Sequence, residues 1–199
     1  MKIAVIGAGN IGGTLGRAWA ARHRVNFGVR SPQDSKYDPL RAVAEVMAAE
    51  QALEGAQAVL LALPGPAVAE FAAGCGAALE GRVVIDAANN VRSAEMNSLG
   101  ALRAAAPGAH LARAFNSTGW ENFAQPVLGG QPVDLFYCAQ PAAKPVLEQL
   151  IGELGLRPIY TGDLDTAPLL DNLTRLWFAL AHVQGRGRRI AFKLQQDHP

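Results

Sequence analysis

The chain has 199 residues, half of them hydrophobic, and its 18 Lys and Arg against 17 Asp and Glu leave a formal net charge of +1. That length suffices for a large buried core, and the even charge balance gives no electrostatic support for binding nucleic acid. No apolar run approaches the roughly 18 residues needed to span a bilayer, and Met1-Lys-Ile-Ala-Val-Ile-Gly7 enters a strand at once, which reads as a cytoplasmic protein with no membrane partner.

Residues 2 to 6 form a short apolar run suited to a buried first strand, and Gly7-Ala-Gly-Asn-Ile-Gly12 follows it directly. Such a turn permits a tight strand-to-helix reversal, a close backbone approach to a pyrophosphate and close helix packing. Ile11, Leu15, Ala18 and Trp19 then fall at the spacing of one helix face. Arg24 to Val29 reads as the second strand, because Val25, Phe27 and Val29 alternate and Ser31-Pro32 ends the run. A dinucleotide site that holds a free 2′-hydroxyl carries an acid near this strand end, yet no Asp or Glu occurs before Asp34. Arg30 and Ser31 offer donors to a 2′-phosphate instead, which favours NADP over NAD. Lys36 adds a possible further cation nearby.

Further along, a helix is expected from Leu40 to Glu50, then a strand at Ala58 to Leu63 stopped by Pro64-Gly65-Pro66. Arg82 to Asp86 is the next strand, followed by Ala87-Ala-Asn-Asn90, a helix around Ala94 to Ala105, and a strand at His110 to Phe115. Val133 to Ala139 and Pro158 to Thr161 complete the strands, with a helical stripe of Val146, Leu147, Leu150, Ile151 and Leu154 between them. A final helix from Thr166 to about Val183 carries Leu169, Leu173, Leu176 and Leu180 along one face, widened by Leu170 and Trp177. The stripe suits either the protein's own sheet or a second copy.

Alternating strands and helices predict an α/β fold: a Rossmann-type, doubly wound, mainly parallel sheet with a C-terminal helix. Residues 1–199 read as one such domain, 166–199 being a helical extension. Ligands of this architecture lie beyond the carboxyl ends of the strands. The expected cofactor-binding residues are therefore Gly7, Ala8, Gly9, Asn10 and Ile11 for the pyrophosphate and Arg30 and Ser31 for the adenosine end. Ala62, Leu63 and Pro64 flank the cofactor, with Ala87 and Asn116 near the nicotinamide.

No acid-base group stands out at these loops, so no catalytic residue is assigned, and Asp86 reads as a buried polar support. Hydride transfer between two bound cofactors needs no such group, because the cofactors carry the chemistry. The isolated Cys75 and Cys138 and the four histidines lack metal-ligand spacing, so neither a disulfide nor a metal is expected. Arg186, Arg188 and Arg189 form a short basic cluster, suited to solvent or, if it lies over the cleft, to an anionic ligand.

Ile6-Gly-Ala-Gly-Asn-Ile-Gly12, Gly28-Val-Arg-Ser31, Leu61-Ala-Leu-Pro64, Ala114-Phe-Asn-Ser-Thr-Gly119, Gly130-Gln-Pro-Val-Asp134, Leu156-Arg-Pro158 and Gly185-x-Gly-x-x-Ile-Ala-Phe-Lys-Leu194 occur in this order. In that order the chain resembles, almost end to end, the small NADPH-dependent deazaflavin (coenzyme F-420) reductases and related dinucleotide-binding reductases. The resemblance implies NADP in the first strand-end loops, a flavin-like or deazaflavin acceptor stacked on the nicotinamide, and a homodimer whose C-terminal segment helps close the acceptor pocket. The chain departs from the pattern at Asn116-Ser-Thr-Gly119, where the deazaflavin reductases carry a His-Thr-Ile-Pro-like segment, and this leaves the acceptor open. The expected function is an NADP(H)-dependent oxidoreductase; the alternative is a non-catalytic NADP-binding sensor or scaffold.

Overall fold

In a computed structural model, which describes residues 1–197 and so leaves the last two residues of the expected extension outside it, the chain forms an eight-stranded sheet covered by helices. The first half runs β1 (Lys2–Ile6), α1 (Asn10–Ala20), β2 (Arg24–Val29), α2 (Asp38–Arg41), β3 (Glu45–Ala48), α3 (Ala49–Leu53), β4 (Ala58–Leu61), α4 (Gly65–Cys75) and β5 (Val83–Asp86). The second half adds α5 (Leu99–Ala105), β6 (His110–Arg113), α6 (Trp120–Ala124), the two-residue strands β7 (Val127–Leu128) and β8 (Gln131–Pro132), β9 (Asp134–Ala139), α7 (Lys144–Glu153), β10 (Arg157–Tyr160) and α8 (Ala167–Phe178).

The sheet order is β10-β9-β6-β5-β4-β1-β2-β3, and all neighbours are parallel except β6 and β9. From β1 the chain winds outward to β2 and β3, then crosses through α3 to β4 on the other side of β1 and winds outward to β5 and β6. The switch point is therefore between β1 and β4, where an open α/β sheet leaves a crevice at the carboxyl ends of its strands. Strand sequences explain the layering. Apolar and polar residues do not alternate along β1 and β4: Ile3, Ala4, Val5, Ile6 and all of Ala58–Leu61 are buried, as expected of central parallel strands covered on both faces. One core cluster, with Val5, Trp19, Phe27 and Tyr137, fills one face, and another, with Val59, Leu79 and Leu102, fills the other.

Several expectations change. The alanine-rich stretch read as a helix from Leu40 to Glu50 is a single helical turn, an edge strand and the start of α3. Pairing of Asn26 to Val29 with Glu45 to Ala48 overrides the helical preference of this segment. The helix expected from Ala94 begins only at Leu99, because buried carboxylates capture the preceding N–H groups: Ser98 donates to Asp86 at 2.7 Å, and Met96 and Asn97 donate to Asp171 at 3.1 and 3.3 Å. On α1, Ala18 points to solvent while Gly12, Leu15, Gly16 and Trp19 are buried. A Cβ on Gly16 would meet the Phe27 ring at 2.4 Å, so this helix packs on β2 through glycine.

The last helix ends in a π turn over Ala179–Val183, and its leucine stripe faces away from the sheet. Leu169 and Leu176 are 62% and 49% exposed, whereas Leu170, Asp171, Thr174 and Trp177 make the inner face.

Candidate functional site

A cavity of about 980 Å³ opens at the carboxyl ends of β1, β2 and β4. Ten of the twelve expected cofactor residues line it: Gly7 to Ile11, Arg30, Ser31, and Ala62 to Pro64. The backbone explains why glycine is required at the turn. Gly7 has φ +95°, donates its N–H to the Gly28 carbonyl at 2.9 Å, and would place a Cβ 2.5 Å from the Ala62 carbonyl oxygen. Gly9 is the N-terminal cap of α1, with no side-chain cap, no acid in the first turn and nothing within 4 Å of where a Cβ would lie. Free amide donors, the positive end of the helix dipole and open space together make a place for an anion such as a pyrophosphate.

At the end of β2, Arg30 and Ser31 are exposed at the cavity rim and Lys36 and Tyr37 close it from the following loop. Lys36 Nζ lies 2.8 Å from Asp34 Oδ2 and 4.9 Å from the Tyr37 ring centroid. The bond to Lys36 holds the Asp34 carboxyl below its usual range, and the same bond raises the Lys36 ammonium. Glu50 also reaches this end of the cavity. It stands just past β3, the strand hidden within the expected helix, which is why no site role was expected of it. On α4, Phe71, Gly74 and Cys75 form the facing wall. Burial pushes the Cys75 thiol up from its ordinary value and that of Cys138 up to about 11, so neither is a thiolate.

Ala87 and Asn116 do not line the cavity. Ala87 is 1% and Asn116 4% exposed: Ala87 packs into the core cluster that holds Trp19 and Phe115, and α8 covers Asn116. Asn116 donates from Nδ2 to Thr174 Oγ1 of α8 at 2.9 Å, and its carbonyl accepts from Asn89 at 2.8 Å. Trp120 and Arg188 line this end of the cavity instead. Trp120 immediately follows the Asn116-Ser-Thr-Gly119 segment, and its closeness to the strand end was the available signal. Of the basic cluster, only Arg188 enters the cavity. It donates from Nε to Glu121 Oε1 at 2.6 Å and sits 5.5 Å from the Trp177 ring centroid. Burial tends to raise the Glu121 carboxyl, but Arg188 outweighs it and the group is held low. Arg189 is tied to the Glu121, Gln125 and Val127 carbonyls and to Asn122 Oδ1, and Arg186 borders a separate groove of about 170 Å³ beside Trp177.

Asp86 is fully buried and accepts from Arg113, Ala88 and Ser98. Desolvation pushes its carboxyl up against the pull of Arg113. Among the described residues no histidine lines the cavity and no group of three His, Cys, Asp or Glu is placed to hold a metal. Among the same residues no helix is long and apolar enough to cross a membrane.

Residues 2–90, which supply the glycine turn, the Arg30 strand end and the Leu63-Pro64 wall, match the model of the family described as NADP oxidoreductase, coenzyme F420-dependent. Over that stretch, just under half of its length, the chain is similar to the F420-dependent NADP oxidoreductases. A crystal structure of a provisionally named F420-dependent NADP reductase from Arthrobacter sp. FB24 superimposes over 98% of this chain and 100% of its own, with a TM-score of 0.87 and 25% identity. A hypothetical protein from Sinorhizobium meliloti aligns over 84% of this chain and 88% of its own, with a TM-score of 0.68 and 26% identity. An imine reductase from Streptomyces aurantiacus shares the fold at 22% identity and a TM-score of 0.71, over 92% of this chain and 64% of its own. A search of curated proteins finds no match.

Proposed function

We propose that the protein passes hydride between NADP(H) and a planar flavin-like or deazaflavin acceptor. The observation that carries this reading is one continuous cavity running from Arg30 and Ser31, past the glycine turn, to Trp120 and Arg188. With the adenosine end over β2 and the pyrophosphate over the β1 turn, the order β2-β1-β4 supports a nicotinamide end beside Leu63 and Pro64. When bound, NADPH supplies the hydride. The chain's own residues then have three tasks: Arg30, Ser31 and Lys36 hold the 2′-phosphate, the amides after Gly9 hold the pyrophosphate, and the Leu63-Pro64 wall fixes the ring against its acceptor. The Trp120 ring and Arg188 offer a flat surface and a cation on the acceptor side, a combination suited to a planar, anionic molecule.

Ala87 and Asn116 support the strand ends behind this site rather than contact ligand, Ala87 from within the core and Asn116 through its bond to Thr174 of α8. Leu169 and Leu176, the exposed members of the leucine stripe beside half-buried Leu173 and Leu180, are proposed as the contact between two copies, since exposed apolar rows on a helix favour association.

The covering of Asn116 by α8 also favours a second reading, a non-catalytic NADP-binding sensor. Isothermal titration with NADPH and NADH tests the cofactor half, and loss of NADPH absorbance in the presence of deazaflavin, FMN or ferric chelate tests the acceptor half. Tight NADPH binding without turnover by any of the three favours the sensor.

A further inference from the structure

Directly behind the cleft lies a buried ionic cluster that the proposed hydride transfer does not use. Arg113, at the end of β6, is 0% exposed. It donates from Nε to Asp171 Oδ1 at 2.8 Å, and from Nη1 to Asp86 Oδ2 at 3.1 Å and to the Ala88 carbonyl at 2.8 Å. Its Nη2 donates to Asn89 Oδ1 at 2.8 Å. A buried arrangement of charges contributes little more to stability than well-packed apolar residues of the same volume, because desolvation offsets the attraction. What it does impose is a single geometry, and here the geometry imposed is that of the loop after β5.

That loop leads to the cleft wall. Asn89, held by Arg113 on one side and donating to the Asn116 carbonyl on the other, fixes the chain into Asn90. The Asn90 backbone is bonded to Met96 at 2.9 Å and lies against Gly65 so closely that a Cβ on Gly65 would come within 2.5 Å of Asn90 N and Cα. Gly65 opens α4 directly after Leu63 and Pro64, which line the cavity. A backbone-to-backbone contact of this kind has no side chain to yield, so the position of Asn90 sets that of Pro64.

We propose that Arg113, acting through Asn89 and Asn90, is a positioning residue for the nicotinamide side of the cleft, and that it holds the Leu63-Pro64 wall where the ring must lie. The proposal rests on the cofactor orientation given above.

Asn89→Ala removes both side-chain bonds of Asn89, from Arg113 and to the Asn116 carbonyl, and leaves Arg113 with both aspartates and the Ala88 carbonyl, whereas Asn89→Asp keeps an oxygen for Arg113 to bond. Each variant is to be titrated with NADPH and with 2′-phospho-ADP-ribose, which lacks the nicotinamide, and melted in parallel. For Asn89→Ala, which loses two hydrogen bonds behind the wall, NADPH affinity is expected to fall about three- to tenfold, with the fragment binding unchanged. Asn89→Asp restores most of the NADPH affinity. Should Asn89→Ala fail to fold, Gly65→Ala presses on the same wall from the other side and is expected to give the same ligand-selective loss. An equal loss for both ligands, or an unchanged NADPH affinity, overturns the positioning role. If the unaltered protein binds neither ligand, the cofactor reading falls and the proposal with it; if it binds both and only the selective loss is missing, the cofactor reading stands and the proposal falls alone.

Discussion

A Cβ on Gly12 would lie 1.9 Å from the Gly7 carbonyl oxygen, so the first and third glycines of the turn are in backbone contact. Gly9, between them, has nothing within 4 Å of its missing Cβ and an extended backbone, φ −75° and ψ −162°, that alanine adopts freely. The two positions should therefore respond oppositely to the same change. Gly12→Ala is expected to cost about 1–3 kcal/mol of stability through overpacking, visible as a lower melting temperature. Gly9→Ala is expected to leave melting unchanged and to weaken NADPH binding more than about tenfold in isothermal titration, because the added methyl stands where the pyrophosphate approaches. A Gly9→Ala variant binding as tightly as the parent would move the pyrophosphate away from this turn.

At the adenosine end, Arg30 is the residue proposed to discriminate between the two nicotinamide dinucleotides. Arg30→Ala is expected to weaken NADPH binding by about ten- to a hundredfold, the loss associated with a charge-assisted hydrogen bond, and to leave NADH binding within about twofold. Titration of both reduced dinucleotides checks this. A parallel loss for NADH would show that Arg30 acts on the fold or on the adenine ring, not on the phosphate.

The glycine turn and the Arg30 strand end were legible in the sequence because they depend on local features: backbone conformation at Gly7, a strand directly before it, and the absence of acids before Asp34. The mainly parallel sheet was legible for the same reason, since β1, β4 and β5 are short apolar runs ended by turn residues. What escaped depends on contacts distant in the chain. Strand β3 is made a strand by pairing with β2, against an alanine-rich composition, and with it Glu50 reaches the cavity. Asn116 was placed near the nicotinamide by its strand-end position, but Thr174, 58 residues later, roofs it over. Arg113 carried no local signal, because its partners Asp86 and Asp171 come from β5 and α8.

The outward leucines of α8 give a prediction about assembly. Leu169 and Leu176 make no part of the core and are more than one-third exposed, so a charge at either is compatible with the folded monomer. Leu176→Glu is expected to melt within a few degrees of the parent while converting a dimer to a monomer in sedimentation velocity. A parent protein that sediments as a monomer at micromolar concentration would remove the proposed interface.

The C-terminal segment that carries Arg188 is anchored at its far end by a group sensitive to acid. Asp134 has a fully buried side chain and accepts from Arg157 at 2.6 and 2.7 Å, Lys193 at 3.0 Å and the Leu194 N–H at 2.7 Å. Burial alone would raise its carboxyl, but the bonds from Arg157, Leu194 and Lys193 outweigh it and hold it below the ordinary 3.8. A carboxyl whose pKa is lower in the folded than in the unfolded chain binds fewer protons when folded, so stability rises with pH across that window. The contribution is complete above about pH 4 and is lost as the pH falls through the folded value. Melting temperatures measured from pH 6 down to pH 3, in steps, are expected to fall more steeply for the parent than for Asp134→Asn, which already lacks the charge. At neutral pH that variant is expected to be about 1–3 kcal/mol less stable, because Arg157 and Lys193 are partly exposed and recover water when the carboxylate is removed. Parallel acid profiles for the two proteins would place the acid-sensitive anchor elsewhere, with Glu121 and its bond to Arg188 the next group to test by Glu121→Gln.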